Sequence, residues 1–393
     1  MAKSFSSTGV TTGTYADRLA LSSPFVGMQF YQTDTDETLR YATDVDGANR
    51  WISVNAKNNR NVVINGAFNI AQRCNAFTSG SVGSTPVTSG YWTYDRWQTL
   101  RQGAVAGATY SRVAGPSGFA NALRMQRDSG NTSAVTIELR NSTESINVYP
   151  LQGKYVTLSF FARAGANYSP TSSLFSVYLQ TGTGTDSNTL GGFTGSLTPI
   201  AATVTLTTSW QRFVLVTPAV LASSVTQLGL VMLSTPVGTA GANDYADVTG
   251  IQVESGTAPS DFEFIPFGIE LATCQRYYET SYTYGTYLIN SSGAAVSASL
   301  EGSGYHTIIA AAGSTPVSIG YRVLKRIAPV ITYYSYNSVA GRYSYRDNAA
   351  DNVGAITVAR ISASGFGVIL NSGNNFSAGG TLWIGFIANA ELS

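Results

Sequence analysis

The chain has 393 residues, long enough for two or three domains that each bury a core. Hydrophobic residues make up 44%, which excludes a disordered chain, whereas charged residues reach only 11% against about 25% in ordinary soluble domains. The formal net charge of +1, from 23 basic and 22 acidic residues without a Lys/Arg run, supplies no field that would collect nucleic acid or an anionic membrane surface.

The opening MAKSFSSTGVTTGTYADRLALSS lacks the continuous apolar core of a signal peptide, and no later run approaches the roughly 20 apolar residues of a membrane span. A soluble chain made in a cytoplasm, without membrane insertion, is expected. Residues 1–60 contain FVGMQFYQTDTDETLRYA, which reads as a small hairpin turning at DTDE. A segment of this size with so little apolar content folds poorly alone, so support from a neighbouring chain or partner is expected.

From residue 61 the period-2 alternation of half-buried strands takes over, bounded by Gly, Ser, Asn and Pro. In KYVTLSFFARAG, Val156, Leu158 and Phe160 share one face; in SLFSVYLQTG, Phe175, Val177 and Leu179 oppose Ser176, Tyr178 and Gln180. ATVTLTT, SWQRFVLVTP, TQLGLVMLST and DVTGIQVESG continue the series at the spacing of a two-sheet antiparallel sandwich over 61–267. A linking helix is expected in 268–283, with Leu271, Cys274 and Tyr278 in one stripe and Glu270 in the first turn. A second small β domain is expected over 284–393.

Few residues here can carry chemistry. A nucleophile–histidine system would have to use His306, the one histidine, and GSG at 302–304 has the wrong order for a nucleophile elbow. Cys74 and Cys274 are too few and too far apart for a zinc cluster or a disulfide scaffold and read as buried thiols. Calcium is the one cofactor that oxygen-rich stretches could hold, with Asn65, Asp244 and Asp247 as candidate ligands; the competing reading is that these short side chains cap turns. Asp244, Asp247, Glu254, Asp261 and Glu263 form the densest acidic region, which a glycosidase would need as a carboxylate pair, but their spacing spreads them over both strand faces. QTGTGTDSNTLGGFTGS lacks the Lys-Ser/Thr ending of a phosphate loop and reads as a connection between strands. Aromatics are plentiful, with 23 Tyr, 17 Phe and 5 Trp, and flat rings beside amides and hydroxyls suit sugars as well as they suit packing. The candidate glycan contacts are Trp92 and Tyr94 in SGYWTYDRW, and Tyr333, Tyr334, Tyr336, Arg342, Tyr343 and Tyr345 in YYSYNSVAGRYSY.

Seven segments in order, from NVVINGAFNIAQR at 61–73 through YWTYDRWQ, LRMQRDSGNTS, LQGKYVTLSFFARAGANYS, TTSWQRF and GTAGANDYADVTGIQVESG to PFGIELATCQRYYE at 266–279, resemble a block found in tail-fibre and other structural proteins of tailed bacteriophages. VGMQFYQTDTDETLRYA and FIANAEL resemble the beginnings and endings of such proteins. The resemblance implies an all-β fold, an antiparallel jelly-roll β-sandwich similar to carbohydrate-binding modules, in a virion appendage that is usually a homotrimer. It places no catalytic residue on these motifs. The function expected is therefore non-enzymatic: residues 1–60 attach the chain to phage tail or baseplate proteins, and the distal β domains adhere to host-surface polysaccharide. The alternatives are a capsule or lipopolysaccharide depolymerase, or a spacer without a ligand. Synthesis in the bacterial cytoplasm and release by lysis fit a chain without a secretion signal.

Overall fold

The computed structural model describes residues 10–54, 60–74, 76–78, 89–91, 94–101, 107–287, 305–307, 317–334, 340, 343–345, 348–352, 356–370 and 381–392. The N-terminal part is a four-stranded sheet of β1 (Val10–Gly13), β2 (Gln29–Gln32), β3 (Glu37–Thr43) and β4 (Asn49–Ser53), with a one-turn helix α1 (Tyr15–Leu19) after β1. The expected hairpin is its centre, since β2 and β3 pair antiparallel from Gln29↔Arg40 to Gln32↔Glu37 around the acidic turn. Part of its support comes from within the chain. Phe30 and Leu39 form a small core with Ala258, the Glu37 carboxylate accepts hydrogen bonds from Thr257 N and Oγ1, and Ser53 N donates to Pro259 O.

The sandwich is built from β5 (Ala76–Thr78), β6 (Ser89–Gly90), β7 (Trp97–Arg101), β8 (Ala108–Val113), β9 (Ala122–Arg127), β10 (Ile137–Thr143), β11 (Val156–Ala164), β12 (Leu174–Gly182), β13 (Leu197–Thr205), β14 (Gln211–Val216), β15 (Gln227–Ser234) and β16 (Tyr245–Ser255). They form two six-stranded sheets, ordered β13-β12-β15-β10-β7-β6 and β14-β11-β16-β9-β8-β5. From β9 onward the chain crosses repeatedly between sheets, as in a jelly roll. Every strand read from the alternation is present. The inward rows, Phe175, Val177 and Leu179 on β12 facing Val156, Leu158 and Phe160 on β11, meet in one core, and each such side chain contributes about 1.5–3 kcal/mol by leaving water.

Unlike β12, β11 is buried on both faces for most of its length. Its outer face carries Ser159 beside Arg212, whose guanidinium donates to Ser159 Oγ at 3.2 Å and to Asp44 Oδ2 at 3.0 Å. The N-terminal sheet thus covers the sandwich through a buried ion pair.

The loop before β5 approaches β16 so closely that only glycine fits at position 66. Ile251 N donates to Gly66 O at 3.0 Å, and a Cβ on Gly66 would lie 2.1 Å from Ile251 O. Gly66→Ala is expected to cost about 1–3 kcal/mol as the two backbones separate, read as a lower urea midpoint. An unchanged midpoint would show that the loop yields freely.

Helix α2 (Phe267–Gln275) follows the sandwich and ends earlier than the sequence reading placed it. Tyr278 leaves the helix and opens β17 (Tyr278–Thr280), so the Leu271–Cys274–Tyr278 stripe does not form. The remaining strands are β18 (Tyr305–Thr307), β19 (Val317–Gly320), β20 (Val330–Tyr334), β21 (Tyr343–Tyr345), β22 (Asn348–Asn352), β23 (Ile356–Ala359), β24 (Gly365–Leu370), β25 (Thr381–Trp383) and β26 (Gly385–Asn389). Their sheets run β17-β26-β20, β18-β25-β21-β22 and β19-β24-β23. Because β17 precedes residue 284, a boundary at that position cuts through a sheet. Ile319, Phe366, Val368, Ile384, Phe386 and Ala388 make the core of this region.

Candidate functional site

On β8 the inward row runs Ala108, Tyr110, Arg112, and on β9 it runs Met125, Leu123 and continues to Asn121 just before the strand, with Arg112 paired to Leu123 in the ladder. The first two members of each row are core residues, and the third is polar. At this end of the sandwich the apolar interior therefore gives way to a guanidinium and an amide. Opposite them stand Phe267, the first residue of α2, and Tyr284, with Asn69 from the loop before β5. These residues and Ala120 line a cavity of about 460 Å³.

The cavity walls are fixed by their neighbours. Tyr284 Oη donates to Asn69 O at 3.0 Å and accepts from Ala71 N at 3.1 Å, and its ring meets that of Phe267 edge to face at 5.2 Å and 85°. Asn121 Nδ2 donates to Asn69 Oδ1 at 3.0 Å, and Asn69 Nδ2 donates to Glu270 Oε2 at 3.4 Å. Burial raises the Tyr284 pKa, with a backbone hydrogen bond from Ala71 and the nearby Arg112 charge pulling it down, so the phenol is neutral at pH 7. Glu270 sits in the first turn of α2 with its carboxyl pKa raised by burial. It lines a separate cavity of about 160 Å³ with Glu263, Asn61 and Thr273. Phe267 is half exposed at the mouth of the larger cavity. Two perpendicular rings, two amides and one cation can stack a sugar ring and bond its hydroxyls.

The residues expected from the sequence lie elsewhere. Tyr94 is fully buried, 5.1 Å from Phe68, and belongs to the core rather than a glycan-binding surface. Tyr334 is buried, and Tyr333 packs against the C-terminal core. Tyr343 and Tyr345 lie in β21, and Trp92, Tyr336 and Arg342 fall outside the described residues. The three calcium candidates are not brought to one site. Asn65 staples a turn, accepting from Ile70 N at 3.0 Å and donating to Ile70 O and Asp95 O. Asp244 takes Ser169 N and Arg127, while Asp247 takes Arg124 through both oxygens and Arg163 as well. With guanidiniums neutralising both carboxylates, turn and strand stapling accounts for these residues. Among the described residues, no group of three or more His, Cys, Asp or Glu is arranged to hold a metal ion.

Cys74 and Cys274 are buried, and burial holds the Cys274 pKa well above its ordinary value, which makes it a poor nucleophile. GIELATCQRYYETSY works as a joint. Arg276 and Tyr277 both bond Glu144 on the sandwich, at 2.7 Å each, and Ala390 N donates to Tyr277 O. The glycine-rich loop between β12 and β13 grips the same region, through Asp186 to Arg326 and Asn188 Nδ2 to Leu392 O.

No protein-family model matches the chain, and neither does any curated protein. Among solved structures the chain is similar to the enzymatically active domain of bacteriophage CBA120 tailspike protein 4, at 10% identity over 41% of this chain and 19% of that one, with a TM-score of 0.28. It is similar to a CBM4 structure at 16% identity over 49% and 99% of the two chains, TM-score 0.29, and to a carbohydrate-binding module of the β-sandwich superfamily at 12% over 56% and 73%, TM-score 0.30. These likenesses accompany the β-sandwich and decide no function.

Proposed function

We propose that the chain is a non-enzymatic adhesion component of a phage tail fibre that binds host-surface glycan with its sandwich. The observation that carries the binding part is the cavity at the sandwich end, where Phe267 and Tyr284 offer perpendicular ring faces beside the Asn69–Asn121 amide pair. Rings that stack C–H faces next to amides that bond hydroxyls are the chemistry of sugar recognition. The ordered series of fibre-like segments supports the virion setting. In that setting the N-terminal sheet faces the tail or baseplate, and a homotrimer multiplies a weak single-site affinity.

The reading is tested by incubating the full chain with bacterial envelope polysaccharides and measuring retention and chain length together. Retention without shortening is expected. Shortened chains would make it a depolymerase, and no retention on any polysaccharide would make it a spacer. Phe267→Ala should weaken retention about threefold to tenfold, because the ring supplies one face of the corner. Being half exposed, Phe267 should leave the urea midpoint within about 0.5 kcal/mol of the parent.

A further inference from the structure

We propose that this cavity selects an acidic sugar residue, whose ring lies in the Phe267–Tyr284 corner and whose oxyanion meets the Arg112 guanidinium. The inference rests on the glycan-binding reading and narrows it to anionic glycans.

It starts from how the sandwich treats its other arginines. Four buried guanidiniums are matched to carboxylates, Arg73 and Arg96 to Glu391, Arg127 to Asp244 and Arg212 to Asp44, whereas Arg101, also buried, bonds the Asn131 amide oxygen at 3.1 Å. Such matching offsets the cost of withdrawing a cation from water. Arg112 is likewise matched to no carboxylate, but unlike Arg101 it lines a cavity. It is half-buried at the end of an inward-facing row, and among the described residues it makes no ion pair. It is also the one charged residue of the six that line the cavity, since Tyr284 is held neutral and Glu270 points its carboxylate at Asn69 from the neighbouring cavity.

The cavity is therefore a positive site with an aromatic wall. A neutral sugar would satisfy the rings and the amides and leave the guanidinium without its counter-charge. A sugar bearing a carboxylate or a phosphate satisfies all three, because the planar fork of arginine pairs with two oxygens of either group. Asn121, fixed by its bond to Asn69, keeps Oδ1 for a ring hydroxyl. The volume of about 460 Å³ holds a monosaccharide unit with bridging water, so the rest of the glycan runs out past Phe267.

The experiment measures binding of the full chain to a panel of envelope oligosaccharides in neutral, uronate-bearing and phosphate-bearing forms, each uronate member accompanied by its carboxyl-reduced counterpart. Acidic members should bind about tenfold or more tightly than their neutral counterparts, and Arg112→Gln should remove that preference, so that acidic and neutral members bind the variant alike. Whichever acidic arm leads identifies the anion. If carboxyl reduction and Arg112→Gln change nothing while Phe267→Ala weakens every member, the acidic assignment falls and glycan binding stands. If no member binds, both fall. The comparison of acidic with carboxyl-reduced forms uses the unsubstituted chain, so it does not depend on how the variant folds.

Discussion

Glu391→Ala should destabilise the protein by about 3–5 kcal/mol, the cost of leaving buried cations without their anion. Glu391 lies two residues beyond β26, and its carboxylate reaches back to the sandwich, to Arg73 at 2.9 Å and to Arg96. Both arginines are held on the other side by aromatic faces, Arg73 over Tyr278 at 3.6 Å and Arg96 over Tyr277 at 3.7 Å. Burial alone would lower the Arg96 pKa, but Glu391 and the neighbouring tyrosines raise it further, so the guanidinium stays charged. It is 1% exposed and cannot turn to solvent when the carboxylate is removed. Urea unfolding followed by intrinsic fluorescence checks the loss, and amide exchange at 385–392 should rise as β26 detaches from β17 and β20. Glu391→Gln keeps an acceptor and should lose less. A midpoint change below about 0.5 kcal/mol for Glu391→Ala, the range of ordinary surface substitutions, would show that the pair contributes no net stability.

This cluster explains part of the unusual composition. With 11% charged residues, the sequence implies a surface made mainly of Ser, Thr, Asn and Gln. The fold draws many of those few charges inward as pairs, which leaves still fewer outside. Hydrophobic alternation reveals none of this, because an arginine in a strand reads as an outward residue until its partner is known. Arg96 and Glu391 are separated by 295 positions.

Legibility follows the range of the interactions. The strands of the sandwich were readable because alternation is local, and Leu158, Val177 and Leu230 all point inward as their period requires. The end of α2 was misread because Tyr278 sits at helical spacing from Leu271 and Cys274, while the pairing that pulls it into a strand is with Asn389. The contacts that hold the N-terminal sheet within the chain were not legible, because Thr257 and Ala258 lie more than 200 residues away from it. For the candidate site one signal was available. In ATYSRV and NALRMQR the inward rows end on Arg112 and Asn121, and polar residues in a core row mark the place where the core opens. Phe267 and Tyr284 flank the joint sequence closely, but nothing local sets them opposite those two strands.

Stability should fall by about 2 kcal/mol between pH 4 and pH 6 through Asp95 alone. Burial lifts the Asp95 carboxyl pKa from 3.8 to about 6, against the pull of Arg73 and of hydrogen bonds from Gln72 N and Nε2, at 2.8 and 2.9 Å. An acid whose pKa is higher folded than unfolded binds its proton more tightly in the native state. Its contribution is therefore greatest below the unfolded pKa and is lost as pH rises through about 6, after which it is constant. Asp95→Asn removes the titration, so the difference in unfolding free energy between parent and variant should change by about 2 kcal/mol from pH 4 to pH 6.5, while all other groups cancel. A flat difference across that range would mean that Asp95 titrates normally in the folded protein. Glu391 adds a second handle, because its negative charge helps to raise this pKa. In Glu391→Gln the window should therefore move toward lower pH, which ties the proton on Asp95 to the same carboxylate that closes the C-terminal strand onto the sandwich.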